Sequence, residues 1–479
     1  MDIDTQNLIA MFGIIGLVII GGALLAGPTE RTGLPALAIF LLLGLLLGPY
    51  GLGVLDIALD DPLLRVVATL SLTLVLFTDA MTLDLAEMRQ NKALAMLLLG
   101  PGTLLAALGL GAFAWGLLGL PLIAALILGA AVASTDPVVL RGMLQGSGMP
   151  ERSHLALRLE SGMNDVLLLP IVVIALTFGA AGGNPGALTI IQLLVSLFLL
   201  GPIAGMLVGL SAVRLLIWVR DRFTVRREYE SLYVIGVALA AFAAAEAVGG
   251  SGFLAAFAAG LVVTSLDVEL CDCFLEYGRI TAEMALLFTY VLLGVAPIWS
   301  GLSAITPAVL LFTLVVLFVR LPIFALALKP LGIPMSERIA LGWYGPRGLG
   351  SLLLALLAIF ADLPNAELVV ALASLSVLAS VATQGGWPLW RRAWRRGSKA
   401  AASPPPKPAL PDRINIEQLR FHMQRGDPLV LLDVRSAQSY ANSPTMAAGA
   451  LRLTNAERAI ADLRAHGVPT NAWVVAYCT

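Results

Sequence analysis

Long apolar runs, separated by short polar connections, fill the sequence from Asn7 to about Trp390. A helix needs about 20 apolar residues to cross a hydrocarbon core about 30 Å thick, and these runs reach that length repeatedly. Of all residues, 58% are hydrophobic and 13% are charged, whereas soluble chains have about 45–50% and about 25%. The sequence therefore predicts an all-α polytopic membrane protein and excludes a soluble enzyme, a collagen-like chain and a disordered chain.

The runs predict about thirteen transmembrane helices. Glycine, proline and charged residues mark their ends, near residues 8–26, 34–52, 62–80, 93–117, 121–145, 154–179, 188–218, 230–248, 250–265, 277–297, 303–328, 336–360 and 366–388. The N-terminal stretch "MDIDTQN" lacks the positive charge that begins a signal peptide, so we expect the first run to be a retained span.

Lys and Arg concentrate in one set of alternate connections. Arg89 with Lys92 and the cluster ending at Arg227 lie there, whereas Asp60 and Asp61 lie in the opposite set. Positive connections stay in the cytoplasm. We therefore expect a multi-pass protein of the cell (inner) membrane, with its N-terminus outside and its C-terminus cytoplasmic.

The composition changes after the last span. We divide the chain into a transmembrane domain (1–390), a basic and Pro-rich linker (391–411) and a small cytoplasmic tail (412–479). In the tail, the apolar segments "LVLLDVR" and "AWVVAYC" alternate with helical segments, which predicts a parallel α/β arrangement. Three cysteines in so long a chain do not form a disulfide framework, and the Cys-x-Cys pair Cys271 and Cys273 makes a poor metal site.

Two predicted spans contain charges beside proline. The fifth has "STDPV", with Thr135, Asp136 and Pro137, and the twelfth has "GPRG", with Arg347. Proline removes a backbone donor and interrupts a helix, and a broken helix is tolerated in a membrane where it lines a cavity. The two spans lie seven apart, in opposite orientation, as expected of an inverted-repeat secondary transporter with its site at the midplane.

The sixth span contains "ESGMND". Asp165 lies eleven residues after His154, or about 16 Å along a helix, and therefore near the midplane. Glu160 with Asn164, and Ser161 with Asp165, are spaced i, i+4 and share neighbouring faces. Charges at this depth usually mark an ion pathway.

Arg347 needs a carboxylate partner because arginine stays protonated. Glu160 is the first candidate and Asp136 the second.

These motifs, together with "GSGFLAAFAAGLVV", resemble bacterial monovalent cation:proton antiporters of the first cation:proton antiporter family, which are Na⁺/H⁺ exchanger-like. The resemblance covers residues 8–388. It implies a thirteen-helix inverted-repeat fold with two broken, crossing helices, usually a homodimer. It also implies the site residues: Asp165 as the shared cation and proton site, with Asn164, Ser161, Glu160, Thr135 and Asp136 around it and Arg347 paired with Glu160.

The chemistry of these residues agrees with that function. Asp165, Ser161 and Thr135 offer the oxygens that a monovalent cation needs. The Asp165 carboxylate can be neutralised by a proton or by a cation, and this competition produces exchange. With Asn164 in place of a second carboxylate, we expect electroneutral one-for-one exchange of Na⁺ for H⁺ in pH homeostasis, and K⁺ or Li⁺ as alternative cations.

Two other functions compete with antiport. One is a channel or neutral-solute carrier on the same fold; the other is a membrane-anchored sulfurtransferase or sulfur/redox sensor. The second arises because "LLDVRSAQSYANSPTMAAGALRL" with "VVAYC" resembles the rhodanese-like domain, in which Cys478 would carry sulfur. The sequence given ends at Thr479, so we expect an incomplete domain whose cysteine lacks an activating loop and is inactive.

The overall expectation is a transporter and not an enzyme. It needs no cofactor apart from its transported ions. The expected partners are the lipid bilayer and a second copy of the chain, with no nucleic acid, and a regulatory partner for the tail.

Overall fold

The computed structural model describes two compact units, Met1–Lys399 and Ala400–Thr479. In the first, the described residues are 13, 16, 17, 19–21, 24 and 36–385, except 84, 145–148, 183–185, 224–226, 267–271 and 296. In the second, they are 419, 420, 423, 425, 428–434, 446, 447, 449–453, 463, 466, 468, 469 and 472–477. Most of the first predicted span, the predicted linker, Cys271 and Cys478 lie outside the described residues.

The described part of the first unit is built of helices. In chain order they are α1 (Ala36–Leu47), α2 (Pro62–Thr82), α3 (Leu85–Gln90), α4 (Lys92–Leu97), α5 (Leu105–Leu118), α6 (Leu122–Ala133), α7 (Pro137–Leu144), α8 (Glu151–Ala180), α9 (Ala187–Val195), α10 (Gly201–Arg222), α11 (Arg227–Ala247), α12 (Gly252–Ser265), α13 (Asp272–Val295), α14 (Ser300–Ser303), α15 (Pro307–Phe318), α16 (Arg320–Ala327), α17 (Met335–Trp343), α18 (Leu349–Phe360) and α19 (Ala366–Ser380). Short π-helical turns at Leu98–Leu104 and Ser196–Leu200 join α4 to α5 and α9 to α10, and a third extends α19.

Seven helical segments of the described chain are long and apolar enough to cross a membrane: Pro62–Thr82, Lys92–Leu118, Arg152–Ala180, Ala187–Arg220, Tyr277–Val295, Pro307–Ala327 and Ala366–Gly385. Five shorter apolar helices accompany them: Leu37–Leu47, Leu122–Ala133, Leu232–Ala247, Gly252–Ser265 and Leu349–Phe360. Each segment coincides with one of the predicted spans, from the second to the thirteenth.

Small residues bring neighbouring helices into close contact. A Cβ on Gly44 of α1 would meet the carbonyl oxygen of Val291 on α13, and a Cβ on Gly205 of α10 would meet that of Ala255 on α12. Helices in lipid associate through such close packing, since lipid tails are as apolar as the side chains. These two glycines therefore permit the close packing of α1 on α13 and of α10 on α12.

Both predicted interruptions are present. The fifth predicted span consists of α6 and α7, separated by residues 134–136, and the twelfth consists of α17 and α18, separated by residues 344–348. Pro137 and Pro346 explain the positions, because proline disfavours helical backbone in the residue before it. Pro170, by contrast, is accommodated within α8, which continues for 30 residues.

The second unit contains a parallel sheet with strand order β2-β1-β3. Its strands are β1 (Leu429–Asp433), β2 (Leu451–Arg452) and β3 (Trp473–Tyr477). Leu432 pairs with Leu451 on one side and with Ala476 on the other. The two predicted strands and their parallel direction are confirmed.

Candidate functional site

The two helix interruptions face each other and satisfy each other's backbone groups. The N–H of Asp136 donates to the carbonyl oxygen of Pro346 at 2.8 Å. Arg347 Nη1 donates to the carbonyl oxygens of Ala133 at 2.7 Å and Ser134 at 3.3 Å. Irregular backbone at membrane depth requires such internal partners. The centre of the bundle can therefore hold two broken helices.

Asp136 caps both helices that begin after the interruptions. Its Oδ1 accepts a hydrogen bond from the N–H of Val139 at 3.1 Å. Its Oδ2 accepts from the N–H of Leu349 at 3.0 Å and from the hydroxyl of Tyr290 at 2.9 Å. Helix N-termini carry partial positive charge, so one carboxylate stabilises the starts of α7 and α18. The sequence predicts Asp136 as part of the cation site, and the structure places it at this capping position.

Whereas Asp136 lies at two helix N-termini, Arg347 lies at a helix C-terminus, beside the last carbonyl groups of α6. It is buried, and besides Ala133 and Ser134 its Nη2 donates to the carbonyl oxygen of Val316 at 3.5 Å. Carbonyl groups at a helix C-terminus carry partial negative charge, which the guanidinium compensates. The predicted pairing of Arg347 with Glu160 is wrong, because the freed carbonyl groups of α6 take the guanidinium.

Arg320 of α16 is the partner that Glu160 has instead. Its Nη1 lies 2.8 Å from Glu160 Oε1 and its Nη2 3.1 Å from Oε2, a two-pronged ion pair between side chains that are 3% and 1% exposed. The guanidinium also lies over the ring of Phe324, 4.5 Å from the centroid. A buried charge requires such a partner. Arg320 was not predicted as this partner, although a cation within the apolar run "VVLFVRLPIF" is the same kind of sequence signal as Arg347.

Thr135 links this ion pair to Asn164. The Thr135 hydroxyl lies 3.3 Å from both Glu160 carboxylate oxygens and accepts a hydrogen bond from Asn164 Nδ2 at 2.6 Å. Nδ2 also lies 3.3 Å from the Thr135 carbonyl oxygen. The Asn164 Oδ1 is buried and has no hydrogen-bond partner among the residues that the structure describes. The first interruption is thus fastened to α8.

Asp165 differs from Asp136 and Glu160, the other buried carboxylates beside the interruptions. Ser134 Oγ donates to its Oδ1 at 2.5 Å, and within the described chain no Lys or Arg forms an ion pair with it. The residue keeps 7% of its surface exposed. Ser161 lies one turn earlier on α8, with its hydroxyl 3.4 Å from the carbonyl oxygen of Arg158. Asp165 is therefore a buried carboxyl group with no described cationic partner.

The structure brings together most of the predicted site. Hydrogen bonds connect Thr135 with Glu160 and Asn164, whereas Asp165 bonds to Ser134, which was not assigned to the site. The cysteine predicted in the tail, Cys478, lies outside the described residues. Three residues that contact this group were not assigned to it from the sequence: Ser134, Tyr290 and Arg320.

The chain matches the family described as "Sodium/hydrogen exchanger, transmembrane" over residues 16–389. It is 27% identical over 381 residues to the K⁺/H⁺ antiporter NhaP of Alkalimonas amylolytica, covering 79% of this chain and 65% of that protein. It is 28% identical over 421 residues to the K⁺/H⁺ antiporter NhaP2 of a Shewanella species, covering 87% and 71%. The chain thus spans about two thirds of the length of these relatives.

The fold is similar to that of a solved antiporter. The structure of the sodium proton antiporter MjNhaP1 from Methanocaldococcus jannaschii at pH 8 superposes with a TM-score of 0.65, over 80% of this chain and 98% of that one. The sequences are 22% identical over this match. At this identity, the likeness concerns the fold.

Proposed function

Since the chain belongs to the sodium/hydrogen exchanger family, whose relatives are antiporters and not enzymes, we propose that it exchanges a monovalent cation for H⁺ at Asp165. One observation carries the proposal. Glu160 is bound by Arg320 and Asp136 caps two helices, whereas Asp165 has no described cationic partner. Its charge is the one that a transported ion can neutralise.

Competition between cation and proton at Asp165 produces coupled exchange. An uncompensated carboxylate at membrane depth is costly, so the site moves between the two sides when a proton or a cation neutralises it. The two ions neutralise the same charge and cannot bind together. Each cycle then carries one positive charge in each direction, which makes the exchange electroneutral and one for one.

The oxygens around Asp165 supply the further ligands. We propose that the cation binds at Asp165, with Ser161 and Thr135 as oxygen ligands. We add Ser134 as a further ligand, because its hydroxyl contacts the carboxylate. Asn164 Oδ1, which is buried without a described partner, is a further oxygen of this region. Several oxygens of moderate field strength are what a dehydrated monovalent cation requires.

Na⁺ is the cation that we propose first, and the family description and MjNhaP1 both name sodium. K⁺ is the second candidate, because the relatives from Alkalimonas and Shewanella are named K⁺/H⁺ antiporters.

The same family assignment supports proposals on topology, location and oligomeric state. We propose thirteen spans in an inverted repeat, a cell (inner) membrane location with the N-terminus outside, and a homodimer. Ala187–Arg220 is the least buried of the seven long described segments, with 22% of its 18-residue apolar window buried within one chain, and we propose it as the face that the second copy covers.

For the tail, we propose a rhodanese-like domain that binds a regulatory partner. The parallel strands β1 and β3 support this arrangement.

Exchange by purified protein in liposomes tests the proposal. A pH-sensitive dye inside the liposomes reports proton movement when NaCl, KCl or LiCl is added outside, with choline chloride as the control. We expect wild type to respond to at least one alkali cation, and Asp165→Asn to fold and give no response. Exchange retained in Asp165→Asn would refute the site, and proton flux equal to that in choline would refute antiport.

A further inference from the structure

Gly350 lies in the first turn of α18, and its backbone, which carries no side chain, packs beside Asp165. A Cβ built on Gly350 would lie 2.7 Å from Asp165 Oδ2 and 2.7 Å from Ser134 Oγ. These are the carboxylate and the hydroxyl that hydrogen-bond to each other at 2.5 Å. The missing side chain therefore leaves room at the atoms proposed to hold the ion.

We propose that Gly350 determines which cation the site accepts, by leaving the space beside Asp165 and Ser134 open to the larger alkali cations. This inference rests on the proposed function, because it assigns a selectivity role at the same site. K⁺ is larger than Na⁺ and Li⁺, and selectivity depends on cavity size and on the coordinating oxygens. A side chain at position 350 would take space that K⁺ needs before it takes space that Li⁺ needs.

An added Cβ at position 350 is expected to displace the proposed ligand atoms of Asp165 and Ser134, because the backbone around them is held in place. The Ser134 carbonyl oxygen is held by Arg347 Nη1 at 3.3 Å and by Ser351 Oγ at 3.2 Å, which anchors the Ser134 backbone. The atoms nearest the Cβ would be two side-chain ends, Asp165 Oδ2 and Ser134 Oγ, and Asp165 Cγ would follow at 3.3 Å. These ends can shift by a few tenths of an ångström while the helices stay in place. Gly350→Ala is therefore expected to fold and to alter the cation site.

The neighbouring Gly348 illustrates the contrast. A Cβ there would collide with the Asp136 side chain, including its Cβ and Cγ at 2.5 Å, and Asp136 is fixed by its capping bonds to α7 and α18. Substitution of Gly348 would disturb the crossing of the two interruptions. Gly350 is the position at which the cation site can be narrowed separately.

The test compares KM values for Li⁺, Na⁺ and K⁺ in proteoliposomes for wild type and Gly350→Ala. One added methyl group in a fitted pocket changes discrimination by roughly tenfold or more, so we expect the KM ratio of K⁺ to Li⁺ to rise about tenfold. Gly278→Ala is the control, because its Cβ would meet the side-chain end of Val234 at 2.8 Å on α11. Its ratio should not change. Equal changes for all three cations, or none, in Gly350→Ala would overturn the proposal.

A second pair of variants tests the proposal if Gly350→Ala folds poorly. Ser134→Ala removes one of the two contacts, so Ser134→Ala/Gly350→Ala is compared with Ser134→Ala alone, and the same rise in the ratio is expected. Thermal stabilisation of the full chain in detergent by each cation, at constant ionic strength, measures binding without transport. If wild type exchanges no cation, the proposed function fails. The stabilisation by K⁺ relative to Li⁺ still decides this inference, and an unchanged ratio in the variant overturns it.

Discussion

Arg320 holds both carboxylate oxygens of Glu160, at 2.8 and 3.1 Å, from a helix 160 residues away in the sequence. Arg347, the other buried arginine near the site, binds the carbonyl oxygens at the end of α6 instead. Each arginine therefore compensates a different kind of negative charge, one a carboxylate and the other a broken helix. Because Asp136 caps α7 and α18, this division leaves Asp165 as the carboxylate beside the interruptions that has neither a described ion pair nor a capping role.

Arg320→Gln is expected to destabilise the protein strongly. Removing one partner of a buried ion pair leaves the other charge uncompensated, at a cost of about 3–5 kcal/mol. The variant should show a lower melting temperature in detergent. Glu160→Gln/Arg320→Gln removes both charges and should be more stable than Arg320→Gln. Arg65→Gln is the control, because Arg65 is exposed and its guanidinium lies over the ring of Phe360, 5.4 Å from the centroid. A double variant no more stable than Arg320→Gln would contradict the assignment.

Tyr290→Phe removes a hydroxyl that lies between the two interruptions. This hydroxyl donates to Asp136 Oδ2 at 2.9 Å and lies 3.1 Å from the N–H of Leu349. A hydrogen bond to a charged group contributes about 1.5–3 kcal/mol, so the melting temperature and the exchange rate should both fall. The control is Tyr233→Phe, which removes a hydroxyl that donates to a backbone carbonyl at 3.0 Å, away from the site. Equal losses in the two variants would mean that Tyr290 has no special role.

Local signals made the spans and both helix interruptions predictable. The length of an apolar run reports the thickness that it crosses, and Pro137 and Pro346 act on the backbone beside them whatever the tertiary structure. The motifs "STDPV" and "ESGMND" likewise identified Thr135 and Asp165 as members of one buried group.

The partners of the buried charges depend on tertiary structure and could not be predicted in the same way. Arg320 and Arg347 both lie in apolar runs, and only the positions of the freed α6 carbonyl groups decide which one meets Glu160. The partners of Ser134 and Thr135 depend on the non-helical backbone of the interruption, where the ψ of Ser134 is 139°. There the Ser134 hydroxyl donates to Asp165 and the Thr135 hydroxyl lies beside Glu160.

Exchange is expected to be insensitive to membrane potential. In the proposed mechanism both ions neutralise the same carboxylate, that of Asp165, so each cycle carries one charge in each direction. An imposed potential, inside negative or inside positive, should leave the initial rate of dye response unchanged in proteoliposomes. A protonophore should change the dye response under the same potential and serves as the positive control. A rate that rises steeply with potential would mean that more than one proton accompanies each cation.

Asn164→Asp is expected to impair the site without adding a second proton carrier. Asn164 Nδ2 donates to the Thr135 hydroxyl at 2.6 Å and lies 3.3 Å from its carbonyl oxygen, and an ionised aspartate can donate to neither. The new carboxylate would also lie near Glu160, whose charge Arg320 already balances. An unpaired buried polar group costs about 1–3 kcal/mol, and a second buried anion adds to that cost, so the melting temperature should fall clearly.

Asn164→Ala separates the two contributions, since it loses the hydrogen bonds but adds no charge. The aspartate variant should be the less stable of the two and should not acquire potential-dependent exchange. A stable, potential-sensitive Asn164→Asp would mean that the hydrogen bonds to Thr135 do not determine which residue this position tolerates.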